Sequence, residues 1–488
     1  MKSTALRLFV FFLMGVNGYA QKELTSELYR TYDRYKESTL NERRIKHKDL
    51  QPLIYNIAKD TLFTVKKVGE SIEGRSISLI SVGTGKINVL LWSQMHGDEP
   101  TATQAIFDIF NFLESDDYSE EKKEILNSLT LHFLPMLNPD GAEVFQRRNA
   151  LGIDINRDAA MLQSPEGKIL KKMRDSLQAD FGFNLHDQST YYNAERTEKP
   201  ATISYLAPAF NYEKDTNSVR ENAMKVVVFM NRILQKYTPG QVGRYNDDFE
   251  PRAFGDNIQK WGTSAILIES GGYPGDVEKQ EIRKLNYVSI LSAIYTIAMG
   301  NYKDMPLEEY GKIPENDRKL FDLKIKGATY RLMGHDYILD LGINRLEVDN
   351  KDHSGFYYSS RVIDQGDLST YYGYETLDAT GYTLWPGKVY PYVVKSMMEL
   401  AEVDINFLLK SGYTYIRMAK LPESPNEANL PIHLLGMDYN VPDFHLEVGI
   451  NPTFVLEKNN KVRYAVINGF LIDLSTGKED FKNGLIYR

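Results

Sequence analysis

Two rhythms of hydrophobic and polar positions alternate along the first 300 residues. Residues 21–60 are polar, rich in Tyr and Lys, and have helix-like spacing. Short runs at 63–68, 76–82 and 87–92 then read as strands, with glycine-containing turns between them. Pro100 opens a different pattern, in which Ala102, Ile106, Ile109, Phe110 and Leu113 share one face of a helix. Further apolar runs at 131–136, 181–185 and 265–268 are interspersed with helical patterns at 219–237 and 278–299. Strands separated by helices predict an α/β fold with a mixed, mostly parallel sheet and helices on both faces.

The texture shifts at residues 301–317, where proline and charge crowd together, and this reads as a linker. Beyond it, 323–332, 336–344, 413–420 and 451–474 read as strands, and only 393–409 reads as firmly helical. The tyrosine-rich stretch from Tyr357 to Tyr374 is better explained by strand packing than by a sugar-stacking platform. The expected organisation is a leader at 1–20, an α/β domain at 21–300, a linker at 301–318 and a β-rich accessory domain at 319–488.

Composition narrows the chemistry. The 488 residues are 42% hydrophobic and 25% charged, which is globular usage. Basic minus acidic residues give 58 − 66 = −8, which argues against the basic footprint that a nucleic-acid binder needs. There is no Cys, so thiol nucleophiles, disulfides and Cys-ligated metals are excluded, and a catalytic metal must rest on carboxylates and the eight His. At the start, Lys2 and Arg7 precede an apolar run over residues 8–16 and the small-x-small triplet Gly18-Tyr19-Ala20, the pattern of a secretory signal. Nine apolar residues are too few to span a bilayer, which takes roughly 20. The expected product is exported, to the periplasm or the outside medium.

Four segments carry candidate chemistry. Ser93-Gln94-Met95-His96-Gly97-Asp98-Glu99-Pro100 follows a strand, where open α/β sheets place ligands, and His96 and Glu99 suit Zn²⁺ if the loop curls. Asn138-Pro139-Asp140-Gly141 is a turn, and the charged stretch from Arg147 to Asp158 follows no helical or strand period, as expected of a polar surface for a ligand. Within it, Arg147 and Arg157 could stabilise anions. His186 ends the apolar run at 181–185. Glu269 follows three aliphatic residues, so it should be nearly buried, with its proton affinity raised. A lone buried Glu is more often a structural ion-pair partner; this one ends a strand beside the Gly-rich turn Gly271-Gly272.

Together, in this order and with the lead-in from Val68 to Arg75, these segments resemble the zinc carboxypeptidase family of metallopeptidases, over roughly residues 62–299. The resemblance implies a catalytic domain with one Zn²⁺ held by His96, Glu99 and His186, and with Glu269 as general base and proton shuttle. It also implies Arg147 as oxyanion stabiliser, Asn156 and Arg157 as the clamp on the substrate's terminal carboxylate, and Asp154 as the carboxylate that orients His96. The family's mobile tyrosine has Tyr245 as its nearest candidate, with Arg252 able to share the task. The side-chain pocket is expected near Gly255 and Asp256, where an acid would favour basic substrates. The implied activity is hydrolysis of the C-terminal peptide bond of peptides with a free carboxylate. Two alternatives remain: an amidohydrolase on the same scaffold, acting on cell-wall peptide or acylated amino acid amides, and a non-catalytic binding protein with an inactive peptidase scaffold.

Overall fold

Strand β3 (Ile87–Ser93) shows how the first half is layered. Val89 and Leu91 face a core shared with the helices Thr101–Glu114, Ser218–Leu234 and Gln280–Met299. Leu90 and Trp92 face the other way, toward Leu170 and Met173 of helix Pro165–Leu177 and Ile258 of helix Phe254–Lys260. Alternate side chains of a strand point to opposite faces, so burial on both sides requires the continuous apolar run seen here. This computed structural model describes residues 24–424, 426–476 and 482–488. The leader expected at 1–20 lies outside the described residues.

The remaining strands of this half are β1 (Thr64–Glu70), β2 (Ser76–Val82), β4 (Leu129–Leu134), β5 (Phe181–Asp187), β6 (Asn193–Ala194), β7 (Ile203–Leu206), β8 (Val242–Arg244) and β9 (Ser264–Ser270). All but β6 join β3 in one eight-stranded sheet, in the order β1-β2-β4-β3-β5-β9-β7-β8. The central four, β4, β3, β5 and β9, run parallel, and antiparallel joins lie outside them. From β3 the chain passes through helix Thr101–Glu114 to β4 on one side, whereas β5 lies on the other. The carboxyl ends of β3 and β5 therefore flank a switch point, where such sheets open a crevice.

The chain divides into two units, the first ending at Arg318 and the second covering Lys319–Arg488. Residues 301–318, expected to be a linker, are part of the first unit. Tyr302, Tyr310 and Ile313 are buried in its core, and Asn316–Asp317 pairs with β6. These apolar anchors are hidden in a stretch whose average composition is polar. At the other end, Leu28, Tyr32, Tyr35, Leu40 and Ile45 also pack into this core. The fully buried pair Arg283–Asp108 holds them from both sides: Arg283 donates to the Glu37 carbonyl (2.9 Å), and the Glu37 N–H donates to Asp108 (2.7 Å).

The second unit is β-rich, with an eight-stranded sheet and a four-stranded sheet. The second of these joins Lys388–Val394, Tyr413–Met418, His433–Leu435 and Ile486–Tyr487, all parallel. Residues 393–409, expected as one helix, are the end of a strand followed by two short helices, Met397–Leu400 and Ile405–Lys410. Ser396 and Asp404 each accept a backbone N–H as an N-cap, so the helix is restarted rather than continued. Residues 451–474 contain three strands, reversed at Asn459-Asn460 and at Asn468-Gly469, where positive φ angles build tight hairpin turns.

Candidate metal centre

The loop after β3 is shaped to bring His96 and Glu99 together. Gln94 adopts a left-handed conformation (φ 49°), and the Glu99 N–H donates to the His96 carbonyl (3.2 Å), closing a turn. Gly97 is required there, because a Cβ would lie 2.0 Å from the carbonyl carbon of Gly141. Gly141 belongs to the short helix Pro139–Glu143, capped by Asn138, whose side chain accepts the Gly141 N–H. The Asn-Pro-Asp-Gly segment thus backs the metal loop.

His186, at the carboxyl end of β5, faces this turn across the crevice. His186 Nδ1 lies 2.6 Å from Glu99 Oε2, and His96 Nδ1 lies 2.8 Å from Glu99 Oε1. The two Nδ1 atoms are 3.2 Å apart, and the three residues offer ligand atoms within 4.8 Å of one another. All three are buried. Two imidazoles and a carboxylate form a donor set suited to Zn²⁺, and a cation relieves the crowding of acceptor atoms.

Asp154 organises one side of this set. Its Oδ1 lies 3.2 Å from His96 Nε2 and accepts the Asn156 N–H, and its Oδ2 accepts from Arg147 Nε (3.0 Å). A hydrogen bond from Nε2–H to a carboxylate leaves the Nδ1 lone pair for a metal. Arg147 Nη1 approaches the same His96 Nδ1 (3.0 Å) and donates to Glu99 (3.2 Å). Burial would lower the His96 pKa, but the Glu99 and Asp154 carboxylates raise it to about 9. His186, wholly buried beside it, is held below the usual imidazole range. Two imidazoles this close cannot both be charged, and the carboxylates favour a positive charge at the converging atoms. His186 has no such carboxylate behind it: its Nε2 is buried without a hydrogen-bond partner.

Glu269 is the next-to-last residue of β9, and the β5–β9 register sets it directly beside His186. Burial, reinforced by the Glu99 charge, pushes its carboxyl well above the ordinary range. A cavity of about 420 Å³ is lined by His96, Glu99, His186 and Glu269 together with Arg147, Asn156, Arg157, Tyr245 and Asp256. Asn156 Oδ1 accepts the Phe254 N–H (2.8 Å), leaving its amide nitrogen for the cavity. Arg157 lies 3.5 Å from Glu250. Asp256 accepts the Glu250 N–H (3.0 Å), and burial pushes its carboxyl up to about 7. Burial and the charge of Glu269 keep the Tyr245 hydroxyl protonated, and its ring meets Tyr192 edge-on at 6.1 Å. Arg252 is not brought in: it is exposed, outside the lining, and bonded to Glu250 through Nε (3.1 Å).

Several lining residues were not singled out from the sequence, among them Asn184, Gln188, Tyr192 and Glu250. Asn184 and Gln188 lie two residues either side of His186 in a segment already recognised, so strand alternation was the signal available. Nothing in the local sequence marks Tyr192 or Glu250.

The model of the family described as zinc carboxypeptidase matches residues 54–238. These residues belong to the zinc carboxypeptidase family. The matched segment of this zinc carboxypeptidase domain contains His96, Glu99, Arg147, Asn156, Arg157 and His186 and ends before Tyr245 and Glu269. Relatives include carboxypeptidase E of Caenorhabditis elegans, 31% identical over 21% of this chain and 26% of its own length. Carboxypeptidase SOL1 of Arabidopsis thaliana is 30% identical over 19% and 20%. The matched region thus spans about a quarter or less of these relatives' length. Among solved structures, a metallo-carboxypeptidase from Burkholderia cenocepacia has 17% identity and a TM-score of 0.41, covering 52% of this chain and 69% of that one.

Proposed function

We propose that the chain is an exported, zinc-dependent metallocarboxypeptidase that removes the last residue of peptides bearing a free terminal carboxylate. The observation that carries this reading is the convergence of His96, Glu99 and His186 beside Glu269 in a single cavity. Bound there, Zn²⁺ would supply Lewis-acid polarisation of the scissile carbonyl and an acidified water. Glu269 takes the proton of the attacking water and hands it to the leaving amine. Its buried setting suits both halves of that task, since a desolvated carboxylate holds a proton firmly enough to carry it. Arg147 offers its guanidinium to the developing oxyanion, an interaction worth about 3–4 kcal/mol for a well-placed donor. Asn156 and Arg157 clamp the terminal carboxylate, with the planar guanidinium fork suited to a two-pronged contact. Tyr245 supplies a neutral hydroxyl donor at the cavity, and Asp256 supplies an acceptor that favours a basic side chain. Export rests on the pattern of residues 1–20, and among the described residues no helix is long and apolar enough to cross a membrane.

Matched peptides with free and amidated C termini test the reading. The expected result is release of single residues from the free acids only, lost with a chelator and restored by Zn²⁺. Cleavage of muropeptides without release of single residues from ordinary peptides would instead establish the amidohydrolase alternative.

A further inference from the structure

Lys279 directly precedes helix Gln280–Met299, and its backbone is left-handed (φ 52°, ψ 34°), a conformation that favours glycine. Its side chain is nonetheless turned inward and only 6% exposed. There the ammonium donates to the Ser270 carbonyl (2.8 Å) and to Asp187 Oδ2 (3.1 Å). Ser270 follows the base Glu269, Asp187 follows the ligand His186, and the β5–β9 register sets each pair side by side. Thr101, at the start of the helix that follows Glu99, donates to the same Asp187 oxygen (2.6 Å). The Asp187 backbone N–H donates in turn to Glu99 Oε2 (3.3 Å). One buried ammonium therefore ties together the three elements that carry Glu99, His186 and Glu269.

Glycine would satisfy the backbone at position 279 without burying a charge, so the local fold does not ask for this lysine. Burying an ion pair contributes little net stability, because desolvation offsets most of the attraction, whereas its fixed geometry is well suited to holding neighbours in register. We propose that Lys279 and Asp187 are positioning residues that hold the carboxylates of Glu99 and Glu269 at a fixed separation, a proposal that rests on the metallocarboxypeptidase reading above. Lys279 lies outside the cavity lining; Asp187 borders the cavity, but its carboxylate is taken up by Lys279 and Thr101, so both act through the backbone on either side of the base and the ligands.

The test uses the full chain and the variants Lys279→Met, Asp187→Asn and their combination, with folding followed by thermal melting. Asp187→Asn is isosteric and guards against simple unfolding in Lys279→Met. The expected result is a kcat lower by about 10–100-fold in each single variant, as for a small misplacement of a reacting group. KM should stay within about threefold and zinc at one per chain. The double variant should be no worse than the poorer single one, because the pair acts as a unit. Cobalt substitution gives a second readout, since the Co²⁺ absorption bands should shift in both single variants. A kcat within twofold of the parent in both single variants, at whatever melting temperature, overturns the proposal. If the parent itself releases no C-terminal residues, the carboxypeptidase reading fails and the Co²⁺ spectrum alone decides: shifted bands support the positioning role, and unchanged bands overturn it.

Discussion

At the scale of single residues, the proposed reaction divides its tasks among carboxylates that lie within one site. In the proposed reaction Glu269 moves a proton, so Glu269→Gln should lower kcat by about 10²–10⁴-fold while zinc stays bound and KM changes little. Steady-state kinetics with a metal analysis of the same sample checks this. Asp154 orients His96 and bonds Arg147. Asp154→Asn should therefore weaken zinc binding by about 10–100-fold, read by competition with a chromogenic chelator. His96, Glu99, His186 and Glu269 were legible because each lies at or just after the carboxyl end of an apolar run. Tyr192 and Glu250 were not, because they reach the cavity from loops with no period of their own. Arg252 shows the converse: the resemblance made it a candidate to share the task of the mobile tyrosine, but its guanidinium is engaged by Glu250 at the surface.

At the scale of elements, strands that are buried on both faces announced themselves, and short capped helices did not. The run at 393–409 has the apolar spacing of one helix, yet the capping side chains of Ser396 and Asp404 divide it. The close approach of Gly97 to Gly141 shows how one element depends on another. Gly97→Ala should force the metal loop away from helix Pro139–Glu143, destabilising the fold by about 1–3 kcal/mol and lowering zinc occupancy, as read by denaturant titration and metal analysis. In the second unit, His433 is fully buried, and its Nδ1 accepts the Leu485 N–H (2.8 Å) next to the last strand, Ile486–Tyr487. Burial pushes its pKa down to about 3. The unfolded chain binds this proton more readily, so the neutral imidazole contributes its full stability above about pH 6.5. That contribution is lost as pH falls toward 3, at about 1.4 kcal/mol per pH unit. Denaturant titrations from pH 7 to 4 should show this slope for the second unit, reduced in His433→Gln.

At the scale of the whole molecule, the alternation of strands and helices revealed the α/β half and its sheet, but not how far that half extends. Leu28, Tyr32 and Leu40 anchor residues 24–60 to the core of the first unit, whereas the polar average over residues 301–318 concealed the buried Tyr302 and Tyr310, which add that stretch to the unit. The Arg283–Asp108 pair fastens the first of these stretches. Arg283→Met leaves Asp108 buried and unpaired and should destabilise the first unit by about 3–5 kcal/mol, measured by chemical denaturation. Across these scales, one requirement is shared: three side chains from β3's loop and β5 must hold a single divalent ion beside Glu269. Zinc content per chain, measured on the purified parent protein and on His186→Ala, tests this most directly. One zinc in the parent and essentially none in the variant is the expected result; a zinc-free parent, or a variant that keeps its full complement, would contradict the account.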